Sequence, residues 1–241
     1  MNREDIESVE TGAGYSYWPD DHAWIRSVDV GFNFENIDVL STGELESRQV
    51  FVELFDIETH SGDGFGLQYV RNREVLFEDF EIVDGIVIPA GDYEFGAFGI
   101  ELGGASERAL APDLELEAGE FFGGEIVSIE AGIEWRPNNR LFLGLEYEYN
   151  DIELPAGDFI TRLIQVRANF AFNVNWSWVN LIQYDNESSE AGINSRLRWN
   201  PRAGQDFYLV VNHGFDAERT FRGLTSTQNQ VSLKYTHTFR F

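Results

Sequence analysis

The sequence contains no cysteine and a single methionine, and its basic residues are few. The absence of cysteine excludes a disulfide framework and any metal site built from thiolates. The 17 Lys and Arg residues stand against 42 Asp and Glu, which gives a formal net charge of −25 at pH 7. Because nucleic-acid binding draws its affinity from Lys and Arg contacts to phosphate, this balance argues against a nucleic-acid partner.

The chain also lacks a long hydrophobic run. A membrane-spanning helix needs about 18 consecutive apolar residues, and no segment approaches that length. A helical membrane protein is therefore excluded. A transmembrane β-barrel is not excluded, because its strands present apolar residues to lipid only at every second position. Residues 1–5 begin no apolar segment of the kind found in signal peptides.

Aromatic residues are abundant, with 20 Phe, 9 Tyr and 6 Trp, which is too many for a disordered acidic chain. The apolar residues follow a period of two. From Val127 to Trp135 the odd positions are apolar, and the even positions between them are polar or glycine. Such alternation predicts strands with one apolar and one polar face. The pattern recurs at 28–35, 114–118, 141–150, 164–172 and 231–241.

One segment is ambiguous and the connections are of two kinds. In 176–184, Asn180 and Gln183 fall on opposite faces of the expected strand. Tight turns rich in Pro, Asn and Gly are predicted at 19–21, 61–63, 137–139, 173–175 and 201–204, and longer loops at 76–91, 152–158, 186–192 and 217–229. Short turns at one end of a sheet and long loops at the other are typical of outer-membrane barrels.

We therefore predict an all-β fold, a transmembrane antiparallel up-and-down β-barrel of about 12–14 strands, with residues 1–241 forming one barrel domain. The pattern itself suggests about thirteen strands, whereas single-chain bacterial barrels have an even number. Together with the missing signal peptide, this odd number leads us to expect the C-terminal part of a larger barrel that lacks upstream strands.

Several aromatic residues are expected at the membrane–water interface. Trp18, Trp135 and Trp199 each lie beside a tight turn that contains proline, and an indole at this depth keeps its ring in the apolar layer and its N–H toward water. The alternative is that these tryptophans close the core of a soluble protein. The complete predicted interfacial set is Trp18, Trp135, Tyr147, Tyr149, Trp199 and Tyr235.

Charged residues occupy the polar positions of the strands, which we expect to face the barrel lumen. Acidic residues come from earlier strands and basic residues from later ones: Glu115, Glu117, Glu130, Glu134, Glu146, Glu148, Arg167, Arg196, Arg198, Lys234 and Arg240. Two arrangements remain open. The opposite charges either face one another across the lumen and set up a transverse field, or they pair locally and fill the barrel.

No catalytic residue, metal site or cofactor is predicted. The four histidines (His22, His60, His213 and His237) lack metal-ligand spacing, and no Gly-x-Ser-x-Gly motif accompanies the pair His213 and Asp216. The glycines of 62–66 indicate a hairpin turn, since no helix follows to form a phosphate site. The acidic residues Glu78, Asp79, Glu81 and Asp84 carry donors suited to Ca²⁺, but charged loops of this kind are usually only solvated.

A family resemblance rests on several segments: 86–93 (IVIPAGDY), 135–137 (WRP), 154–159 (LPAGDF), 181–186 (LIQYDN), 194–199 (NSRLRW) and 206–210 (DFYLV). These resemble the C-terminal barrel, a domain of unknown function, of large bacterial proteins that carry an N-terminal family-9-like carbohydrate-binding domain. No such carbohydrate-binding domain is present in this sequence. The final strand resembles the C-terminal assembly signal of outer-membrane proteins, with Tyr235, Phe239 and Phe241 as the signal residues.

We accordingly expect a Gram-negative outer-membrane protein that acts as a pore or as the membrane anchor of a larger surface protein, with a link to glycan binding or uptake through the family. Its expected partners are outer-membrane lipid and lipopolysaccharide, the barrel assembly machinery, and upstream chain or other subunits. Two alternatives remain, a barrel hydrolase acting on lipid or glycan and a soluble acidic β-sandwich that binds carbohydrate.

Overall fold

The computed structural model describes residues 5–216 and 225–238, and most of them lie in strands. The strands are β1 (Ile6–Tyr17), β2 (Ile25–Val39), β3 (Leu45–Thr59), β4 (Gly64–Leu76), β5 (Phe80–Val83), β6 (Ile86–Ile88), β7 (Gly91–Gly103), β8 (Leu110–Phe121), β9 (Gly124–Asn138), β10 (Leu141–Leu154), β11 (Gly157–Asn173), β12 (Trp176–Asp185), β13 (Glu190–Arg202), β14 (Gln205–Asp216) and β15 (Thr225–His237).

Thirteen strands form one antiparallel sheet in the order β1-β2-β3-β4-β7-β8-β9-β10-β11-β12-β13-β14-β15, and β5 pairs only with β6. Apart from this small insertion, each strand lies beside its neighbours in sequence, which is the up-and-down order. The predicted all-β class, strand order and approximate strand number are confirmed. Within the described ranges, no helix is long and apolar enough to cross a membrane.

The chain packs as two compact units. Unit 1 comprises Met1–Ala105, Leu114–Ile129 and Asn150–Ile160, and unit 2 comprises Ser106–Asp113, Glu130–Tyr149 and Thr161–Phe241. The predicted signal residues Phe239 and Phe241, and the predicted lumen residue Arg240, lie outside the described residues.

Strand register gives unit 2 two chemically different faces. Residues directly opposite each other in an antiparallel pair share a face. One such row crosses five strands and is wholly apolar: Phe170, Trp178, Leu197, Leu209 and Leu233. A row on the other side is mostly polar: Arg167, Leu181, Asn194, Asn212 and Gln230. We call these sides the apolar face and the polar face.

The ambiguous segment 176–184 is a regular strand in the structure. Asn180 lies on the apolar face, opposite Ser195, and its hydrogen bonds are made locally. Its Nδ2 donates to the carbonyl oxygen of Ala168 at 3.2 Å, and its Oδ1 accepts from the Ser195 hydroxyl at 2.8 Å. That hydroxyl in turn accepts from the indole Nε1 of Trp178 at 2.8 Å. A polar side chain whose partners are supplied locally is tolerated on an apolar surface.

Unit 1 repeats the two-faced pattern. An apolar row crosses β1, β2, β3, β4 and β7 through Ala13, Phe32, Val52, Tyr69 and Phe98. The opposite side carries Asp29, Asp56, Gly66 and Glu101 in register. A register shift in β3 between Glu53 and Phe55 marks a β-bulge, and beyond it the odd positions of β3 take over the apolar face.

The connections differ in part from those predicted. The expected long loop at 152–158 is wrong, because β10 continues to Leu154 and β11 begins at Gly157. A second tight turn at the same end of unit 1 was not predicted. There Phe122 and Gly123 both have positive φ, 44° and 81°, as a two-residue type I′ hairpin turn requires. The expected loop at 76–91 contains the β5–β6 hairpin, and most of 217–229 lies outside the described residues.

Buried side chains are few for a chain of this length. Among the described residues, the buried hydrophobic side chains are Ile88, Phe95, Ala97, Ala105, Ala111, Ile152 and Leu154. Many large apolar side chains are instead exposed on the apolar face, and Leu233 reaches 80% relative exposure and Val231 reaches 70%. The stability of such a sheet depends on its backbone ladder and on cross-strand pairs more than on a central core.

A glycine on the polar face provides a test of how closely the strands pack. A Cβ at position 119 would lie 2.3 Å from the carbonyl oxygen of Gly96, whereas a Cβ at position 192 would meet no atom within 4 Å. Gly119→Ala should therefore lower the free energy of unfolding by about 1–3 kcal/mol. Gly192→Ala should leave it unchanged or raise it slightly. Urea unfolding followed by tryptophan fluorescence measures both variants, and equal midpoints would contradict the described packing.

Candidate functional site

Four aromatic rings form a continuous ladder on the apolar face of unit 2. Trp176, Trp199, Phe207 and Tyr235 are paired in register across β12, β13, β14 and β15. Their ring centroids are 5.5, 5.1 and 4.5 Å apart, and all three contacts are stacked. Each strand contributes its ring close to a two-residue turn, at 174–175 or 203–204, or to its end near Thr238. The ladder therefore runs across these four strands at one end of the sheet.

Only half of this aromatic ladder was predicted from the sequence. Trp199 and Tyr235 belong to the predicted interfacial set, whereas Trp176 and Phe207 do not. Both missed residues occupy positions of the correct period, so the strand pattern was compatible with them. Their stacking follows from the register between strands, which a single sequence pattern does not specify.

Of the other predicted interfacial aromatics, two lie at or near strand ends and two lie near the middle of β10. Trp18 follows β1 directly, and Trp135 lies three residues before the end of β9; both side chains are exposed. Tyr147 and Tyr149 occupy successive same-face positions of β10, with their rings stacked at 6.5 Å. The guanidinium of Arg162 lies 5.4 Å from the ring centre of Tyr149, which is within the range of a cation–π contact.

The polar face of unit 2 carries local ion pairs. Glu146 of β10 pairs with Arg167 of β11, and Arg198 of β13 pairs with Asp206 of β14 at 2.6 Å. Within β9, Glu134 pairs with Arg136 two residues later, and that guanidinium lies 5.2 Å from the ring centre of Phe142. All these side chains are partly exposed, so each pair contributes little to stability, about 0–1 kcal/mol.

The other charged residues predicted to face the lumen lie on several strands, and some of them contact polar or aromatic side chains of neighbouring strands. Glu115 accepts a hydrogen bond at 3.2 Å from Nε2 of Gln68, a residue of β4. This contact passes over Gly99, where a Cβ would lie 2.8 Å from Gln68 Cγ. Arg196 lies 5.9 Å from the ring centre of Tyr208, and Lys234 is opposite the same tyrosine in register. Glu117 lies in β8, Glu130 in β9 and Glu148 in β10.

A cavity of about 280 Å³ opens on unit 2 among these charges. Its polar lining consists of Asp113, Glu130, Glu146, Glu148 and Gln165, with Tyr147 beside them. Glu146 of this group is paired with Arg167 of β11. Four carboxylates around one cavity give it a negative potential, which attracts cations and repels anions.

Two of the histidines make structural contacts. Nδ1 of His22 accepts a hydrogen bond from the backbone N–H of Ile25 at 2.9 Å, which fixes the turn before β2. His213 lies on the apolar face opposite Ile193, and its ring packs on Phe215 with centroids 3.9 Å apart. Across residues 5–216 and 225–238, no group of three or more His, Cys, Asp or Glu side chains is arranged to hold a metal ion.

The acidic segment between β4 and β7 uses two of its carboxylates to shape the backbone. Asp79 Oδ1 accepts a hydrogen bond from the N–H of Ala90, and Glu81 Oε1 accepts one from the N–H of Gly85, both at 2.9 Å. This segment is the β5–β6 hairpin, which sequence reasoning treated as a loop. The run Ile86-Val87-Ile88 was the available signal, but it is too short to separate a strand from a loop.

The hairpin packs against the polar face of unit 1, close to the ends of β4 and β7, the two strands that it connects. Ile88, Ile152 and Leu154 are buried at the centre of an apolar cluster. The partly buried residues around them are Leu76, Ile82, Ile86, Tyr93, Phe121, Phe122, Ile126 and Phe159. The cluster residues that belong to strands of the large sheet form what we call the wall. Strand alternation places them on the same face as Gln68, Glu115 and Ser128. One end of the otherwise polar face is therefore apolar and covered.

No protein-family model matches the chain, and no curated protein matches it. Among the solved structures, the chain is similar to one described as the CymD monoaromatic hydrocarbon channel, with 10% sequence identity and a TM-score of 0.35. The aligned region covers 98% of this chain and 88% of that one. A likeness at this TM-score adds nothing to the fold described above.

The ladder can be tested at Phe207, which lies between Trp199 and Tyr235. Phe207 stacks on two rings, whereas Phe172 of β11 stacks on one ring among the described residues, that of Phe170 at 6.1 Å. Aromatic pairs contribute about 0.5–1.5 kcal/mol each beyond their buried area. Phe207→Ala should therefore lower the free energy of unfolding by roughly twice as much as Phe172→Ala. Urea titration in the same lipid or detergent would measure both. A smaller loss for Phe207→Ala would contradict the stacked ladder.

Proposed function

We propose that the chain is a Gram-negative outer-membrane β-barrel that forms a pore, with its apolar face toward lipid and its polar face toward the lumen. The observation that carries the proposal is the exposed apolar face, whose rows continue across five strands in each unit. Burial of a Leu or Val side chain is worth about 1.5–3 kcal/mol. A water-soluble protein would lack this stabilisation at many exposed apolar positions, whereas a protein whose apolar face is covered by lipid gains it.

Strand length agrees with the proposed membrane crossing. A tilted transmembrane strand needs about 9–11 residues, and β12 has 10 residues while β11 has 17. From Trp176 to Tyr184 the apolar-face positions of β12 extend over about 27 Å at 3.4 Å per residue. This length supports a single crossing by each strand, with the longer strands extending beyond the membrane.

The aromatic ladder supports a specific depth for the turn end of unit 2. Trp and Tyr collect at membrane–water interfaces because their rings are apolar and their N–H or O–H groups are polar. Trp176, Trp199 and Tyr235 lie on neighbouring strands at one end of the sheet, and we assign them to the periplasmic interface. Trp18, Trp135, Tyr147 and Tyr149 complete the proposed interfacial set.

The polar face supports a pore more than a closed structural barrel. Its ion pairs are local, and a negatively charged cavity remains beside them on unit 2. We infer that the pore prefers cations, since rings and clusters of carboxylates select for cations in channels. The lumen set comprises the acidic and basic side chains predicted from the sequence. Lipid, lipopolysaccharide and the barrel assembly machinery are the proposed partners.

A second candidate function is the membrane anchor of a larger surface protein. The β5–β6 hairpin favours it, because a hairpin packed on the polar face reduces the space for solutes. The family resemblance of the sequence adds a link to glycan binding or uptake, which would be supplied by a carbohydrate-binding domain elsewhere in the larger protein. A barrel hydrolase has no comparable support from the described side chains.

Conductance in planar lipid bilayers tests the pore. The purified chain should form channels whose reversal potential in a KCl gradient indicates a preference for K⁺. Glu148→Lys should reduce this preference, because Glu148 lines the acidic cavity. Glu153→Lys is the matched control, since Glu153 occupies the opposite face of the same strand. Equal reversal potentials for the two variants would contradict the assignment of faces, and folded protein without conductance would favour the anchor.

A further inference from the structure

The β5–β6 hairpin is an insertion that the sheet does not need for its own connection. Leu76 at the end of β4 pairs directly with Gly91 at the start of β7. The two strands are therefore adjacent up to their last residues, and a two-residue turn is enough to join such a pair. Residues 77–90 must have another role.

The hairpin has one buried and one exposed side. Ile88 is 3% exposed, whereas its neighbour Val87 is 38% exposed, and Glu81, which is paired with Val87, is exposed as well. On the buried side, Ile88 forms the centre of the apolar cluster with Ile152 and Leu154, and Ile82 and Ile86 pack against that cluster. The remaining polar face of unit 1 carries carboxylates such as Asp56 and Glu101. The apolar patch on the wall is therefore matched to the hairpin and differs from its surroundings.

Polar contacts fix the base and the turn of the hairpin. The hydroxyl of Tyr93 donates a hydrogen bond to the carbonyl oxygen of Pro89 at 2.8 Å. Asp79 bonds the N–H of Ala90 across the base, and Glu81 bonds the N–H of Gly85 in the turn. Gly157 leaves room for Ile86, because a Cβ there would lie 3.2 Å from Ile86 Cδ1. Position and orientation of the hairpin are thus both determined.

We propose that the β5–β6 hairpin is the constriction that sets the size limit for solutes in the pore, held on the inner wall by the apolar cluster around Ile88. The proposal rests on the proposed pore function. An apolar cluster is suited to hold such a constriction in a water-filled lumen, because water competes with hydrogen bonds but strengthens the association of apolar groups. The hairpin selects by narrowing the passage, so hydrophilic solutes are separated by size.

A charge placed on the buried side of the hairpin tests the proposal. Ile88→Asp puts a carboxylate into the apolar cluster and should release the hairpin from the wall. Single-channel conductance should then rise by about twofold or more, as expected when pore diameter limits conduction. Liposomes should also swell in larger oligosaccharides than they do with the unchanged protein. Val87→Asp, which adds the same charge on the exposed side of the same strand, should behave like the unchanged protein.

A second variant guards against misfolding of Ile88→Asp. Replacing residues 77–90 by Asn-Gly joins Leu76 to Gly91 through a turn of the favoured type and should give the same larger conductance and size limit. If the unchanged protein conducts and neither change alters conductance or size limit, the constriction is refuted while the pore stands. If the folded protein does not conduct with the hairpin or without it, the pore itself is refuted.

Discussion

The alternation of side chains along each strand is the constraint on which the structure depends. Because successive residues point to opposite faces, a period of two in hydrophobicity divides an entire antiparallel sheet into an apolar and a polar side. Register then aligns like with like: Leu197, Leu209 and Leu233 fall on one side, and Asn194, Asn212 and Gln230 on the other. A shift of one residue on any strand would reverse its two faces. The bulge in β3 preserves this division, since the strand changes parity there while its apolar residues stay in line.

The exposure of many apolar side chains on one face is the second consequence of the alternation. An apolar face of this extent is stable where lipid covers it, and the polar groups on it must then be satisfied within the protein. Asn180, Ser195 and Trp178 meet this requirement by bonding one another and the backbone. On the polar face the charges combine in short-range pairs such as Glu146–Arg167. Of the two arrangements expected for these charges, the described contacts favour local pairing, while the acidic cavity retains a negative field.

Much of the fold followed from local sequence pattern, and the parts that did not were determined by contacts distant in sequence. The strands from Val127 to Arg136 and from Ile164 to Phe172 were predictable because each shows its two faces within ten residues. The stacking of Trp176 and Phe207 was not, since it depends on register between strands. The turn Pro155-Ala156 looked like part of an acidic loop, although Ile152 and Leu154 before it are buried by the hairpin. The hairpin itself is stabilised by the wall, and its own short apolar run carries little information.

The orientation of the two faces is tested most directly by neighbouring cysteines on β14, in a chain that has no cysteine of its own. Leu209 belongs to the apolar face and Val210 to the polar face beside Arg196, and both are apolar by type, so their chemical difference is small. Each is replaced by cysteine, and the protein is folded into lipid vesicles and treated with a small water-soluble maleimide. Val210→Cys should be labelled rapidly and Leu209→Cys should be protected, with equal labelling of both after unfolding in denaturant. Labelling of Leu209→Cys at the rate of Val210→Cys in vesicles would contradict the assignment of the two faces.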